Sequence, residues 1–343
     1  AGPASQTGPA PASHPPRPAA KRGFPWAVLL IFLLLGGAGG AAYAFRDRLF
    51  GGASGNGATA GPAGDSPSLL ITVQDRSGRG PYDLLVLALD GSGAVQAVPA
   101  HNDNVLGDRA PDGRLAYVHT AQQDGLPVEQ IFGADPDGGN ERQLTFGPGL
   151  SRAPRWSPDG KQIIFESTRD SATPGERDIY VMNADGSGIR RITDAPGWQG
   201  GPAWSPDGKR IAYHSKANQS ERFEIRVLDL ATGEDRLLAR LADDSYWPDW
   251  SPDGDTVAFL TERQTTAEYV TAIWTVAAAG GESVELTGLG EGRNRWPRWS
   301  PDGDYLAFES QRDGLWQVYI LDIKREEVKK ISDGTRNDRW PNW

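Results

Sequence analysis

The chain has 343 residues, a formal net charge of −10 and no cysteine. The lack of cysteine excludes disulfide bonds and zinc sites with thiolate ligands. The part that follows residue 67 carries 30 Lys and Arg against 43 Asp and Glu. Because such an acidic surface repels a phosphate backbone, the composition argues against nucleic acid as a partner.

Residues 1–23 contain six Pro and six Ala without hydrophobic periodicity. This composition cannot form a core, so it predicts a disordered segment. Because the sequence begins at Ala1, it follows either a removed initiator Met or a missing N-terminal part. The residues favour neither origin.

Residues 24–45 carry no charge and are numerous enough to cross a bilayer, which needs about 20 helical residues. Arg17, Lys21 and Arg22 precede this stretch and place the N-terminal segment in the cytoplasm. The alternative is a signal peptide cleaved after Ala44, since Ala42-Tyr43-Ala44 has the small-x-small pattern. Both interpretations export the remainder of the chain, which begins with a flexible, Gly-rich linker over residues 46–68.

A five-residue motif repeats through the rest of the sequence. Trp156-Ser157-Pro158-Asp159-Gly160 recurs unchanged at Trp204–Gly208, Trp250–Gly254 and Trp299–Gly303. A divergent copy lies at Arg109–Gly113, and the chain ends on a Trp in the equivalent position. Steps of 44 to 49 residues separate the copies. A period in this range predicts an array of four-stranded units, as in a β-propeller.

The Ser-Pro-Asp-Gly part of the motif has the chemistry of a hairpin turn. Pro presets φ for the second turn position, and Gly accepts the positive φ that ends the turn. An alternating strand pattern such as Gln162–Ser167 follows, then a polar loop and a third strand such as Ile179–Met182. We expect the fourth strand to close on a Leu/Ile-Thr/Ser pair, for example Ile192-Thr193.

The first repeat lacks its Trp strand, whereas the chain ends on an unpaired one. Leu69–Val73 matches a second strand, Leu84–Leu89 a third and Val95–Val98 a fourth. Arg339–Trp343 should complete this first blade, because an open array would expose strand edges. Five complete units and one split unit predict an all-β, six-bladed propeller over residues 69–343. The repeated Trp are expected to pack between neighbouring blades.

Residues 154–193 resemble the repeat of the TolB-type propeller family. They read Pro-x-Trp-Ser-Pro-Asp-Gly-Lys-x-Ile-x-Phe-x-Ser-x-Arg-Asp, then Asp-Ile-Tyr-Val-Met-Asn-Ala-Asp-Gly-Ser-Gly, and end on Arg-Ile-Thr. The resemblance covers about residues 69–343 and implies a six-bladed propeller that binds other proteins at one face. Similar repeats form non-catalytic propellers of prolyl oligopeptidase-like enzymes and sensor domains of bacterial membrane kinases. The layout of the whole chain resembles the C-terminal half of such a Ser/Thr kinase.

The sequence has no nucleophile elbow, phosphate-binding loop or zinc-protease motif, so we expect a non-catalytic protein without cofactor or metal. The histidines show no ligand spacing and are interpreted as solvated or strand-edge residues: His14, His101, His119 and His214. The Asp-rich turn at residues 135–138 lacks the alternating carboxylates of a calcium loop, so it is interpreted as structural.

The segment that enters each Trp strand is the candidate binding site, since it differs between blades and should open beside the channel. Trp, Tyr and Arg dominate binding hot spots, and arginine suits a carboxylate. The candidate partner-binding residues are Trp198, Tyr246, Trp247, Arg293, Arg295, Trp296, Arg336, Arg339 and Trp340. Alternatively, these Trp cover blade edges and the Arg pair with acids such as Asp249 and Asp338.

Two classes of function follow from these features. In the first, the chain is a membrane-anchored, extracytoplasmic sensor or binding module that recognises another envelope or extracellular protein, or an acidic ligand. In the second, it is an accessory domain of a larger enzyme, either the ectodomain of a Ser/Thr kinase or the partner of a hydrolase.

Overall fold

The computed structural model describes residues 68–77, 82–89, 93–98, 103–171, 173–218, 221–264, 269–286 and 292–343. Within these ranges, no helix has the length and apolar character needed to cross a membrane. The disordered segment, the membrane span and nearly all of the linker that the sequence predicts lie outside the described residues.

The described residues form six four-stranded antiparallel sheets, the blades of a propeller. The strands of blades 1 to 3 are β1 (Ser68–Gln74), β2 (Tyr82–Ala88), β3 (Gly93–Gln96), β4 (Val105–Arg109), β5 (Leu115–Gln123), β6 (Leu126–Ala134), β7 (Arg142–Gln143), β8 (Ser151–Trp156), β9 (Gln162–Ser167), β10 (Asp178–Asn183) and β11 (Arg190–Arg191). The strands of blades 4 to 6 are β12 (Trp198–Trp204), β13 (Arg210–Lys216), β14 (Glu224–Asp229), β15 (Asp235–Ala239), β16 (Asp244–Trp250), β17 (Thr256–Gln264), β18 (Tyr269–Ala277), β19 (Val284–Glu285), β20 (Asn294–Trp299), β21 (Tyr305–Asp313), β22 (Leu315–Asp322) and β23 (Glu327–Lys330).

The last strand, β24 (Asn337–Asn342), completes blade 1. It pairs antiparallel with β1, with Arg339 opposite Thr72 and Asn337 opposite Gln74. It also contacts β20 and β4, the inner strands of the blades on either side. The predictions that the C-terminal strand closes the ring and that the ring has six blades are therefore confirmed.

The Ser-Pro-Asp-Gly motif turns the chain from the first to the second strand of a blade, as predicted. In blade 3 the amide of Gly160 donates to the carbonyl of Ser157 at 2.8 Å, and Gly160 has a φ of 66°. Asp159 accepts from the Ser157 hydroxyl and from the Lys161 amide. The Ser157 hydrogen bond is the main cause that lowers the pKa of Asp159, which is a turn residue.

The outer strands end earlier than the sequence suggests. The strand β11 stops at Arg191, before the pair Ile192-Thr193, and β3 stops at Gln96 rather than Val98. The hydroxyl of Thr193 accepts the amide of Ile179 on β10 at 2.9 Å. The amide of Ile192 still donates to the carbonyl of Ile179 at 2.9 Å, so the pairing of the fourth strand does close on this pair, with a side-chain oxygen in place of the ladder carbonyl at Thr193.

A hydrophobic cluster fills each interface between neighbouring blades. The repeated Trp lie in five of these clusters, as predicted: Trp156, Trp204, Trp250, Trp299 and Trp343. At the sixth interface, between blades 1 and 2, Arg109 holds the equivalent position and donates to the Ser68 hydroxyl at 3.2 Å. The packing of each blade against the next thus fixes the inner strands around the channel.

Candidate binding site at the channel mouth

Every inner strand has a bulge at the same place, where its register against the second strand shifts. The first bulge residue of each blade has a positive φ. These residues are Leu106, Ala153, Gly201, Trp247, Trp296 and Trp340. A side chain in this conformation costs roughly 1–2 kcal/mol, so the surrounding ring imposes it on five non-glycine residues.

The bulges surround a small open cavity at the centre of the ring. Trp247, Trp296 and Trp340 line the side formed by blades 5, 6 and 1. The opposite side has smaller residues, among them Leu106 and Ala153. Of the candidate residues in the entry segments, Trp247, Trp296 and Trp340 therefore do lie beside the channel, on inner strands rather than in loops.

The three tryptophans form a row. The ring centroids of Trp247 and Trp296 are 3.8 Å apart, and those of Trp296 and Trp340 are 6.1 Å apart with planes at 84°. Trp296 is 9% exposed, while the other two are half-buried. The indole nitrogen of Trp340 is buried and has no hydrogen-bond acceptor among the described residues. The row thus offers apolar ring surface at the mouth.

His214 lies behind the row, on the interior strand β13, and is only 4% exposed. Its ring packs against Phe223, Tyr246 and Trp247 at centroid distances of 5.3 to 5.4 Å. Burial, with a smaller effect from Arg177, lowers the pKa of His214 to about 3. This histidine is therefore neutral, and it accepts the Trp247 amide at 3.4 Å.

The prediction that the histidines are solvated or at strand edges is wrong for His214, because inter-blade packing buries the strand that carries it. It is also wrong for His119, which lies half-buried on the interior strand β5 beside Asp103. The other two, His14 and His101, lie outside the described residues. In the described part of the chain, no group of three or more His, Asp or Glu is arranged to hold a metal ion.

A layer of buried charges forms the floor of the cavity. Arg155 lies 2.9 Å from Asp249 and 3.7 Å from Asp108, and Arg298 lies 3.7 Å from Asp249. Asn342 donates to Asp108, so the layer joins the inner strands of blades 1, 2, 3, 5 and 6. Burial, then Arg155, lowers the pKa of Arg298 to about 10, while the two carboxylates outweigh burial and raise the pKa of Arg155.

A second group of side chains surrounds Trp316 at the start of β22. The guanidinium carbons of Arg293, Arg295 and Arg339 lie 5.5, 5.4 and 4.9 Å from the Trp316 ring. Arg339 also lies 4.5 Å from the Trp340 ring, which connects this group to the row of tryptophans. We call these three arginines and Trp316 the arginine cluster.

Comparison with known proteins identifies the repeat. Residues 68–223 and 201–343 match the family described as the TolB beta propeller domain. The chain belongs to this family. Among curated proteins, it is 39% identical over 56 residues to Tol-Pal system protein TolB of Sphingopyxis alaskensis and 35% identical over 72 residues to that of Syntrophus aciditrophicus. These segments cover 16% and 21% of this chain but only 12% and 15% of those two proteins.

Solved structures share the fold of this TolB-family propeller. TolB from Acinetobacter baumannii superposes with a TM-score of 0.66 at 20% identity, over 80% of this chain and 66% of that one. A TolB structure from Agrobacterium tumefaciens gives 0.59 at 19% identity, over 78% and 90%. Hydrazine synthase of Kuenenia stuttgartiensis gives 0.65 at 16% identity, over 81% and 46%. At these identities the likeness establishes the fold alone.

The candidate residues of the TolB-family propeller fall into three places. Trp247, Trp296 and Trp340 line the channel, and Arg293, Arg295 and Arg339 belong to the arginine cluster. The other three lie apart from these groups. Tyr246 contacts Phe223 at 4.7 Å, and Trp198 contacts Phe223 at 5.7 Å. Arg336 pairs with Asp338 at 3.0 Å, in line with the alternative interpretation, but Asp249 pairs with Arg155 and Arg298 instead.

The sequence interpretation missed the charged floor and Trp316. Asp108, Arg155, Asp249 and Arg298 each come directly before the repeated Trp position, so alignment of the repeats could have found them. No repeated sequence position marks Trp316, which lies at the start of β22, the third strand of its blade. That these residues bind a partner remains a prediction.

Proposed function

We propose that this TolB-family propeller is a non-catalytic binding module whose channel mouth recognises another protein. The observation that carries the proposal is the row Trp247, Trp296 and Trp340, held at three successive bulges. Tryptophan supplies a large rigid contact surface at small entropic cost, and it is enriched among hot spots. Strained backbone is typical of sites that clamp a ligand, which also supports this interpretation.

We further propose that the propeller lies outside the cytoplasm, anchored by residues 24–45 or released after cleavage near Ala44. The support is the uncharged stretch in the sequence and the names of the two curated relatives, which place those proteins in the Tol-Pal system. The second candidate is an accessory or sensor domain of a larger enzyme, such as a Ser/Thr kinase. Sequencing the reading frame upstream of Ala1 separates the two, because a kinase domain there would favour the second.

The binding role is tested with glycine variants of the row. Trp247→Gly and Trp340→Gly remove the rings but suit the positive φ, as Gly201 does at the equivalent position of blade 4. The full chain, carrying a photo-crosslinker at Ala153, is used to capture and identify its partner from a cell-envelope extract. We expect each variant to reduce recovery of that partner at least tenfold.

Phe146→Ser is the matched control, because Phe146 is 65% exposed and is not among the residues that line the cavity. It should leave recovery unchanged. Equal recovery by the wild type and by both glycine variants, with their thermal unfolding still cooperative, would exclude the row as the recognition surface.

A further inference from the structure

We propose that the arginine cluster is a subsite that binds one carboxylate group from an acidic segment of a partner protein. The inference rests on the proposed function, since the same partner would cover the channel mouth and the cluster. It adds the chemistry of the contact and the residues that make it.

The first argument is the balance of charge. Arg295 pairs with Glu262, and Arg339 pairs with Glu309 at 3.2 Å. Arg293 has no carboxylate partner among the described residues, and it lies over the rings of Tyr269 and Trp316 at 5.1 and 5.5 Å. Among the described residues, three guanidinium groups therefore meet two carboxylates, which leaves one positive charge of the cluster uncompensated within that part of the chain.

The second argument is the supply of hydrogen-bond donors. The Nε atoms of Arg293 and Arg295 are both buried, and neither has an acceptor among the described residues. A buried donor without a partner costs about 1–3 kcal/mol, so two such atoms in one group favour an incoming acceptor. Burial lowers the pKa of Arg295; the charges of Glu262 and Glu309 oppose this effect, and those of Arg293 and Arg339 add to it. A bound anion would offset the repulsion among the three guanidinium groups.

The third argument concerns the kind of anion. One missing negative charge matches a carboxylate, whereas a phosphate group carries about −1.5 to −2 at neutral pH. Glu262 and Glu309 would repel that extra charge. Guanidinium groups also present planar N–H donors, which suit the planar carboxylate group. The contact of Arg339 with Trp340 places the subsite beside the proposed protein-binding row, so we assign the carboxylate to a protein side chain.

The test uses the full chain, labelled with ¹⁵N-arginine in detergent micelles, and three probes. These are the N-acetylated amides of triglutamate and triglutamine, and inorganic phosphate. We expect triglutamate to shift the Nε–H signals of Arg293 and Arg295 to saturation, and triglutamine to leave them in place. Arg293→Gln should raise the dissociation constant for triglutamate at least tenfold and identifies the Arg293 signal.

Arg169→Gln is the matched control, since Arg169 stacks on Phe165 and Tyr180 in blade 3 and its loss removes the same charge. It should change the dissociation constant less than twofold. Phosphate binding as tight as triglutamate, an absence of saturation, or equal binding by Arg293→Gln would each overturn the subsite. If the tryptophan variants still lose the partner, the proposed function survives that failure. If triglutamate binds but the tryptophan variants keep the partner, the proposed function fails and the subsite stands.

Discussion

The environment of His214 shows how strongly the packed blades exclude water. His214 contacts Phe223, Tyr246 and Trp247 and has a pKa of about 3 in the folded protein. An unfolded histidine has a pKa of about 6.5, so on acidification the unfolded chain binds a proton first. Above a pH of about 6.5 the imidazole is neutral in both states, so its burial does not reduce the free energy of unfolding. As the pH falls from about 6.5 towards 3, protonation of the unfolded chain progressively lowers the free energy of unfolding.

The variant His214→Gln should make the protein less sensitive to acid, because glutamine can still accept the Trp247 amide but does not titrate. Below pH 6.5, the unfolding free energy of the wild type should fall relative to the variant by about 1.4 kcal/mol per pH unit. Urea unfolding of both proteins at pH 7.5, 6.0 and 5.0 measures this difference. Parallel loss of stability in the two proteins would mean that His214 is not kept neutral by its surroundings.

At the level of the strand, the bulge is the element that shapes the channel. Gly201 has a φ of 56°, and a Cβ atom there would lie 2.7 Å from Nδ1 of His214 and 2.8 Å from the Trp247 ring. Gly208 has a similar φ of 67°, but a Cβ atom would find its nearest neighbour, in Pro158, at 3.9 Å. Alanine variants at the two glycines therefore separate the free-energy cost of a side chain at positive φ from the cost of a steric clash.

Gly208→Ala should lower the free energy of unfolding by about 1 kcal/mol, the cost of a side chain at positive φ. Gly201→Ala adds a steric clash to that cost and should lower it by about 3 kcal/mol or more. Chemical denaturation of both variants measures the difference. Similar losses at the two positions would show that the packing of Trp247 on Gly201 is loose.

The turns, bulges and arginine cluster also show how much of the structure can be predicted from the sequence. Turn chemistry is local, so Ser-Pro-Asp-Gly located the hairpins and their spacing set the number of blades. The bulges depend on the pairing of two strands, and no residue type marks them in every blade. The arginine cluster is harder still, since Arg293, Trp316 and Arg339 come from three segments and meet only after the ring has closed.

For the whole molecule, closure depends on a few residues at the end of the chain. The strand β24 pairs with β1, and Trp343, which directly follows it, packs in the cluster between blades 6 and 1. Asn342 donates to Asp108, and Arg339 pairs with Glu309. Removal of this strand would leave both carboxylates short of a partner and expose the edge of β1.

Deletion of residues 339–343 should therefore lower the melting temperature by about 10 °C or more. For a large domain, each kcal/mol lost from the free energy of unfolding lowers the melting temperature by roughly 2–4 °C. Differential scanning calorimetry of the truncated and intact chains measures this change. As a rescue, a copy of residues 337–343 is placed before Ser68 in the truncated chain and joined to it by a Ser-Pro-Asp-Gly turn. This copy should restore most of the lost melting temperature. Identical melting of truncated and intact protein would show that the ring is stable without its final strand.

The charged floor connects the inner strands of the ring to one another. Its Arg155 and Arg298 line the same cavity as the three tryptophans. With Asn342, those two arginines and their acids tie together five of the six inner strands, including strands that are not neighbours. Loss of Asp249 would leave both Arg155 and Arg298 without that carboxylate, so one substitution here would disturb several blades at once.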